Sequence, residues 1–379
     1  MTKTYQAQIV RRAVAAMFFM AGLCFSSWAS RIATIQEKLS ISEGQFGAVL
    51  FAMPVGLMLS LPVSGWGVSR FGSRKVVSVA LAAYGISLIG LGFMPNMYLL
   101  ALNIMVFGFC SNAVNVSVNA QAVATELLYR KPIMASFHGV WSLAGFIGGG
   151  IGTFMIGQQV PPFIHFILIS IVTVGSVFIC WRYLNDDKGS GEKKQSAFTK
   201  PDSALITLGL IAFCSMVVEG TMFDWTTIYF KKVVNAADAY AGLGFTAGMC
   251  MMATGRFVAD GFSARFGLKR TLQLSGVLSL SGLAIAIAFP YLVPAIIGFM
   301  LIGAGISSVV PLVYSVAGRS TTMAPGPAIA AVSTISFLGF LIGPPIIGFL
   351  AEAFSLRVSF LFVALMALLV IVFTTRAKV

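Results

Sequence analysis

Glu219 and Asp224 stand in the segment MVVEGTMFDW, where every flanking residue is apolar or small. The other acids, among them Glu37, Glu43, Glu126, Asp238 and Glu352, fall in polar connections or near the ends of apolar stretches. A carboxyl deep in a long apolar segment costs roughly 3 kcal/mol on insertion scales, so its presence is itself a hypothesis of function. Such a group can ionise when it faces one aqueous side and reprotonate when it faces the other, which would couple proton flow to a second movement. Glu219 is the sharper candidate, with a structural hydrogen bond as its alternative; Asp224 is the second. His138 is the third, because imidazole titrates near physiological pH.

A second set of residues suits the holding of a neutral solute. Asn112, Asn115 and Asn119 recur at helical spacing and share one face. Bare amides facing lipid are costly, so that face is expected to look into a bundle or a wet cavity, with interhelical hydrogen bonding as the alternative. Trp28, Trp141 and Trp225, together with Ser307, Ser308 and Tyr314, add indole faces and hydroxyls. Amides and hydroxyls hydrogen-bond a polyhydroxylated solute while indoles stack on its CH faces, a combination suited to a sugar or nucleoside. The 32 Phe and 18 Met equally suit a loose site for amphiphiles. Arg31 is read as a partner for Asp224 in a gate, or as a snorkelling solvated side chain, and His165 as an interfacial residue.

These residues need long apolar elements to position them. Hydrophobic residues make up 58% of the chain and charged ones 10%, far outside the soluble range. A bilayer span needs about 20 apolar residues, and twelve stretches qualify: 13–33, 43–67, 76–94, 98–125, 134–158, 163–183, 204–231, 240–262, 270–289, 291–317, 326–353 and 357–376. The net charge of +13 sits between the stretches, which argues against nucleic acid as its target. Only Arg31, Lys38, Lys231, Lys232 and Arg357 fall on one side; nearly every other Lys and Arg falls on the opposite one. By the positive-inside rule that second side is cytoplasmic and holds both termini.

The second half repeats the first at an offset of about 195 residues. Arg70-Phe71-Gly72 matches Arg265-Phe266-Gly267, Gly108 matches Gly303, Ile147-Gly148 matches Ile342-Gly343, and Ile151 matches Ile346. Duplication of a six-helix unit explains all four. The polar stretch NDDKGSGEKKQSAFTKPDS at the midpoint is the linker, which gives an N-terminal bundle over 1–183, a connection over 184–203 and a C-terminal bundle over 204–379. Small residues such as Gly145, Gly148, Gly149 and Gly152, and again Gly339, Gly343 and Gly348, allow close helix packing, and Pro344-Pro345 predicts a kink.

GWGVSRFGSRK (65–75) and GRFVADGFSARFGLKR (255–270) follow the second and eighth stretches. They resemble the loop signature of the major facilitator superfamily, and its recurrence at both places makes the match specific. The first copy has Ser69 where the family carries an acid. SWASR (27–31), SFHGVWSLAG (136–145) and EGTMFDW (219–225) look like the fucose-permease-like branch, in particular YbjJ-type inner membrane proteins. The resemblance implies twelve helices in two six-helix pseudo-repeats, a central cavity, alternating access and a monomer. A short basic cytoplasmic loop can pair with helix C-termini and an acid to form a latch, for which Arg70, Arg74, Lys75, Arg256, Asp260, Arg265, Lys269 and Arg270 are the candidates, with simple topology-setting charge as the alternative. Asp260 and Arg256 are placed to pair across one helical turn.

No GxxxxGK[ST] loop is present, which argues against ATP drive. No nucleophile and base are spaced to meet, so enzymatic chemistry, cofactors and a metal are not expected. Cys24, Cys110, Cys180, Cys214 and Cys250 all lie in apolar stretches and read as packing residues. The expectation is an all-α integral membrane protein of the bacterial inner membrane whose partners are lipids, protons and a small-molecule substrate. It is a secondary transporter, with efflux of amphiphiles or a non-transporting receptor or scaffold as the alternatives.

Overall fold

The computed structural model describes residues 3–129, 133–186, 201–320, 322–323 and 325–377, less the side chains of residues 3–6, 135, 260, 325–327 and 330. Apolar runs of this length close their backbone hydrogen bonds internally, and the helix does so within one segment. In chain order the helices are α1 (Lys3–Leu39), α2 (Glu43–Leu50), α3 (Ala52–Phe71), α4 (Ser73–Phe93), α5 (Met97–Tyr129), α6 (Met134–Gly157) and α7 (Pro162–Cys180). After the linker come α8 (Ser203–Asp224), α9 (Thr226–Lys232), α10 (Leu243–Phe266), α11 (Leu268–Ala288), α12 (Leu292–Ile306), α13 (Val309–Ala317), α14 (Pro325–Ala353) and α15 (Leu356–Arg376). No strand occurs among the described residues.

Eleven stretches of helix among the described residues are long and apolar enough to cross a membrane. The stretch expected at 240–262 is the helix α10, but it is not among the eleven. Its C-terminal half carries Arg256, Asp260 and Arg265, which lowers its hydropathy below that of its neighbours. Three expected spans are each interrupted: α2 gives way to α3 at Phe51, α8 to α9 at Trp225, and α12 to α13 at Ser307-Ser308. At Pro344-Pro345, by contrast, α14 runs through.

The chain divides into two compact units. The first comprises Met1–Ile41 and Val49–Glu192; the second comprises Ser42–Ala48 and Lys193–Val379. In the first, α1 packs on α6 and α7, α3 on α5, and α4 on α5 and α7. In the second, α8 packs on α14 and α15, α10 on α12, and α11 on α12 and α15. Each pair in one unit has its counterpart in the other, so the sequence repeat is matched by the same internal packing order.

The matched glycines do matched work. Gly72, between α3 and α4, has φ 84° and ψ 150°; Gly267, between α10 and α11, has φ 83° and ψ 158°. That region is open to glycine alone, and any Cβ there costs on the order of 1–3 kcal/mol. Gly72→Ala and Gly267→Ala are each expected to lower the thermal midpoint of the purified protein, although nothing lies within 4 Å of the added Cβ at Gly267. An unchanged midpoint in Gly267→Ala would refute the backbone origin of the effect.

Gly108 on α5 lies against the Met53 carbonyl of α3, and Gly303 on α12 against the Gly248 carbonyl of α10, so a Cβ at either would overlap backbone. Small residues at such crossings let helices touch main chain to main chain.

Candidate functional site

In the second unit, α8 brings Glu219 to face α10. Glu219 Oε1 lies 3.7 Å from the Arg256 guanidinium, with the two side chains 11% and 20% exposed. At that separation two unit charges attract by on the order of 4 kcal/mol at an effective dielectric constant near 20. This pair is not among the partners expected from the sequence, which set Arg256 beside Asp260 on one helix as a latch candidate; Arg256 lies well inside α10. A cation so deep in an apolar run is the signal that could have pointed to an intramembrane partner. Asp260, the partner expected for it, has its side chain outside the described residues. Asp224, at the C-terminus of α8, is buried.

In the first unit Arg31 is 2% exposed. Its Nε donates to His165 Nδ1 at 3.3 Å, and its Nη2 donates to the Val160 carbonyl at 2.9 Å. Arg31 is therefore a bonded core residue and not a snorkelling solvated one. His165 is fully buried, which corrects its reading as an interfacial residue. Accepting at Nδ1 fixes the neutral ring with its proton on Nε2. His138 sits edge-on to Phe18, with ring centroids 5.4 Å apart.

Among the solute-binding candidates, four hold a buried polar atom with no hydrogen-bond partner among the described residues: Trp28 Nε1, Asn112 Nδ2, Trp225 Nε1 and Tyr314 Oη. Buried donors are nearly always satisfied, so these four atoms stand out in the fold. Trp28 and Asn112 lie in the first unit; Trp225 and Tyr314 lie in the second. Asn119 Nδ2 donates to the Asn115 side-chain oxygen at 2.9 Å. These two share a face, with Asn115 exposed, while Asn112 is buried. Trp141 packs on Phe25 at 5.8 Å. Ser307 spends its hydroxyl on the Ala304 carbonyl at 2.6 Å.

Four of the basic loop residues, Arg70, Arg74, Arg265 and Lys269, contact rings or helix ends of their own units. The Arg74 guanidinium lies 4.9 Å above the Trp181 ring, just past the end of α7. At the equivalent place in the repeat, Lys269 Nζ donates to the Thr375 carbonyl at 2.8 Å and the Ala377 carbonyl at 3.3 Å, at the end of α15. A cation against the last carbonyls of a helix completes its dipole. Arg70 lies over Trp66 and Phe71, and Arg265 over Phe266. Lys75 and Arg270 are exposed. At the start of α8, Asp202 accepts from the Leu205 amide at 2.8 Å and from the Thr322 hydroxyl at 2.6 Å. These bonds hold its carboxyl below the usual range. The five cysteines are all free of disulfides.

Known proteins share both the sequence and the fold. The chain is 32% identical to an uncharacterized transporter of Sinorhizobium fredii, y4wD, over 97% of this chain and 98% of that protein. It is 30% identical to an uncharacterized MFS-type transporter of Yersinia pestis, over 93% of this chain and 92% of the other. It is also 30% identical to the membrane protein MosC of Rhizobium meliloti, over 94% and 88%. The nucleoside transporter NupG superposes with a TM-score of 0.78 at 13% identity, covering 98% of this chain and 99% of that one. A bacterial homologue of the human lysosomal transporter Spinster superposes at 0.74 and 14% identity, covering 100% and 98%. At such identities the likeness is one of fold alone. The sequence model of the Major Facilitator Superfamily matches residues 14–237 and 208–378, and this multi-pass membrane chain belongs to that superfamily of transporters.

Proposed function

We infer that the chain is a proton-coupled secondary transporter that moves a small neutral hydrophilic solute, a sugar or a nucleoside, by alternating access. The observation that carries this reading is Glu219, a carboxyl inside α8 with a cationic neighbour at 3.7 Å in Arg256. A carboxyl held by a counter-charge can exchange that partner for a proton, which is the step a coupled carrier requires. Buried donors without a partner among the described residues, Trp28 and Asn112 within the first unit and Trp225 and Tyr314 within the second, support a solute rich in acceptor oxygens. In this reading α10 serves as the twelfth span, and the bundles over 1–183 and 204–379 are joined by the cytoplasmic linker 184–203. Both termini are cytoplasmic in a bacterial inner membrane, and the carrier is a monomer of the fucose-permease-like branch.

The test is a thermal-shift screen of the purified protein against sugars, nucleosides and lipophilic cations at acidic and neutral pH. A ligand of the folded state raises the midpoint by mass action. A hydrophilic solute whose shift changes with pH is expected. Shifts with lipophilic cations alone would replace this reading by efflux of amphiphiles.

A further inference from the structure

Arg31 and His165 join α1 to the first turn of α7 without a carboxylate. Arg31 is 2% exposed and His165 is fully buried. Among the described residues the guanidinium has neutral partners only: His165 Nδ1 at 3.3 Å and the Val160 carbonyl at 2.9 Å. Val160 belongs to the turn between α6 and α7, where Gln159 has φ 54° and the Val160 amide donates to the Met155 carbonyl at 2.9 Å. One side chain of α1 therefore holds both this turn and the helix that follows it. A buried charge is normally paired with an opposite one, and a charge tied by neutral acceptors alone depends on each of them.

The bond to His165 is conditional on the charge of the ring. A guanidinium offers donors and no acceptor, so Nδ1 must be bare to receive the Nε proton. A proton on Nδ1 would set donor against donor and cation against cation at the same separation. The other ring nitrogen gives no relief, because Nε2 is buried with no hydrogen-bond partner among the described residues. The elements packed against the pair bring no carboxylate to it. From α6 the ring meets Gly152, where an added Cβ would lie 3.7 Å from His165 Cε1. α4 passes α7 with Gly85 against Thr173 and Gly92 against Phe163; its titratable Tyr84 lies at the Thr173 level, and residues 86–92 carry no titratable group. On α1 itself, Cys24 bonds to Thr173 at 3.3 Å, Glu37 is exposed, and the Lys38 ammonium donates to the Gly92 carbonyl at 3.0 Å. Arg182 and Tyr183 sit past the opposite end of α7.

We propose that Arg31 and His165 form an acid-released clasp. The bond ties α1 to α7 while the ring is neutral, and uptake of a proton by His165 frees Arg31 and with it the turn at Val160. The clasp lies in the first unit and does not involve Glu219. The topology proposed above puts this end of α1 at the periplasmic face, and only the source of the signal, external acid, rests on that reading.

The full-length protein carries two histidines, so isotopic labelling of the imidazole nitrogens gives two sets of ring signals by magnetic resonance, and His138→Gln assigns them. At neutral pH His165 is expected to show a bare Nδ1 and a protonated Nε2, and in acid two protonated nitrogens. The thermal midpoint of the parent is expected to fall by a few degrees between about pH 7 and about pH 5, since the released form binds one proton more than the clasped form. His165→Asn, which keeps an acceptor and cannot take the charge, is expected to lose that part of the acid fall. Arg31→Met is expected to lose it too, while starting from a lower midpoint at neutral pH. A protonated Nδ1 at neutral pH, or a ring that stays neutral in acid while the protein is folded, would overturn the proposal in the parent protein itself. An acid fall of equal size in His165→Asn and the parent would overturn it as well, by placing the responsive group elsewhere. These measurements use neither solute nor gradient, so their failure leaves the transport reading standing.

Discussion

Glu219→Gln is expected to abolish pH-driven accumulation of the solute in proteoliposomes, lowering it by at least about tenfold, while exchange of labelled for unlabelled solute continues. The amide keeps the size of the carboxyl and an oxygen facing Arg256, so the contact between α8 and α10 persists. What disappears is the ability to trade a charge for a proton. Glu219→Leu tests the structural half of the same pair. It leaves Arg256 facing an apolar side chain, and breaking a buried ion pair from one side costs on the order of 3–5 kcal/mol. The midpoint should therefore fall further in the leucine variant than in the glutamine variant, which keeps an acceptor oxygen facing Arg256. If Glu219→Gln still concentrates solute against its gradient, the proton is carried elsewhere, and His138 is the next residue to replace.

The second large effect belongs to the helix crossings. Gly303→Val and Gly108→Val are each expected to eliminate folded, monodisperse protein. The overlap in both is with a backbone carbonyl of the facing helix, which cannot turn aside as a flexible side chain can. Overpacking ordinarily costs about 1–3 kcal/mol, and a main-chain collision belongs at or above the top of that range. Gly175→Ala is the control, since nothing lies within 4 Å of an added Cβ there, and it should leave yield and midpoint unchanged. Normal elution of Gly303→Val in size-exclusion chromatography would refute the close packing of α12 on α10.

Much of this architecture is legible from residue order. The apolar runs give the helices, and the glycines of the repeat mark two of its structural devices: the sharp connection at Gly72 and Gly267, and the tight crossing at Gly108 and Gly303. Apolarity is silent about continuity, however. The breaks at Phe51, Trp225 and Ser307-Ser308 lie inside stretches that composition alone reads as single spans. The same limit applies to partners. Arg256 lies one helical turn from Asp260 and reads as its mate; its contact with Glu219 arises because α8 lies beside α10. His165, at the start of an apolar run, passes for an interfacial ring until the fold delivers Arg31 to it.

The composition of the second unit bears on how the molecule can be cut. Residues Ser42–Ala48 belong to that unit, and within it Glu43 pairs with Lys232 at 2.6 Å while Phe46 meets Trp225 edge-on at 6.3 Å. A fragment begun after the linker would thus lack a stretch of its own body, translated long before the linker itself. Severed halves should recover this unit only by complementation, with the upstream piece supplying the missing peptide in trans.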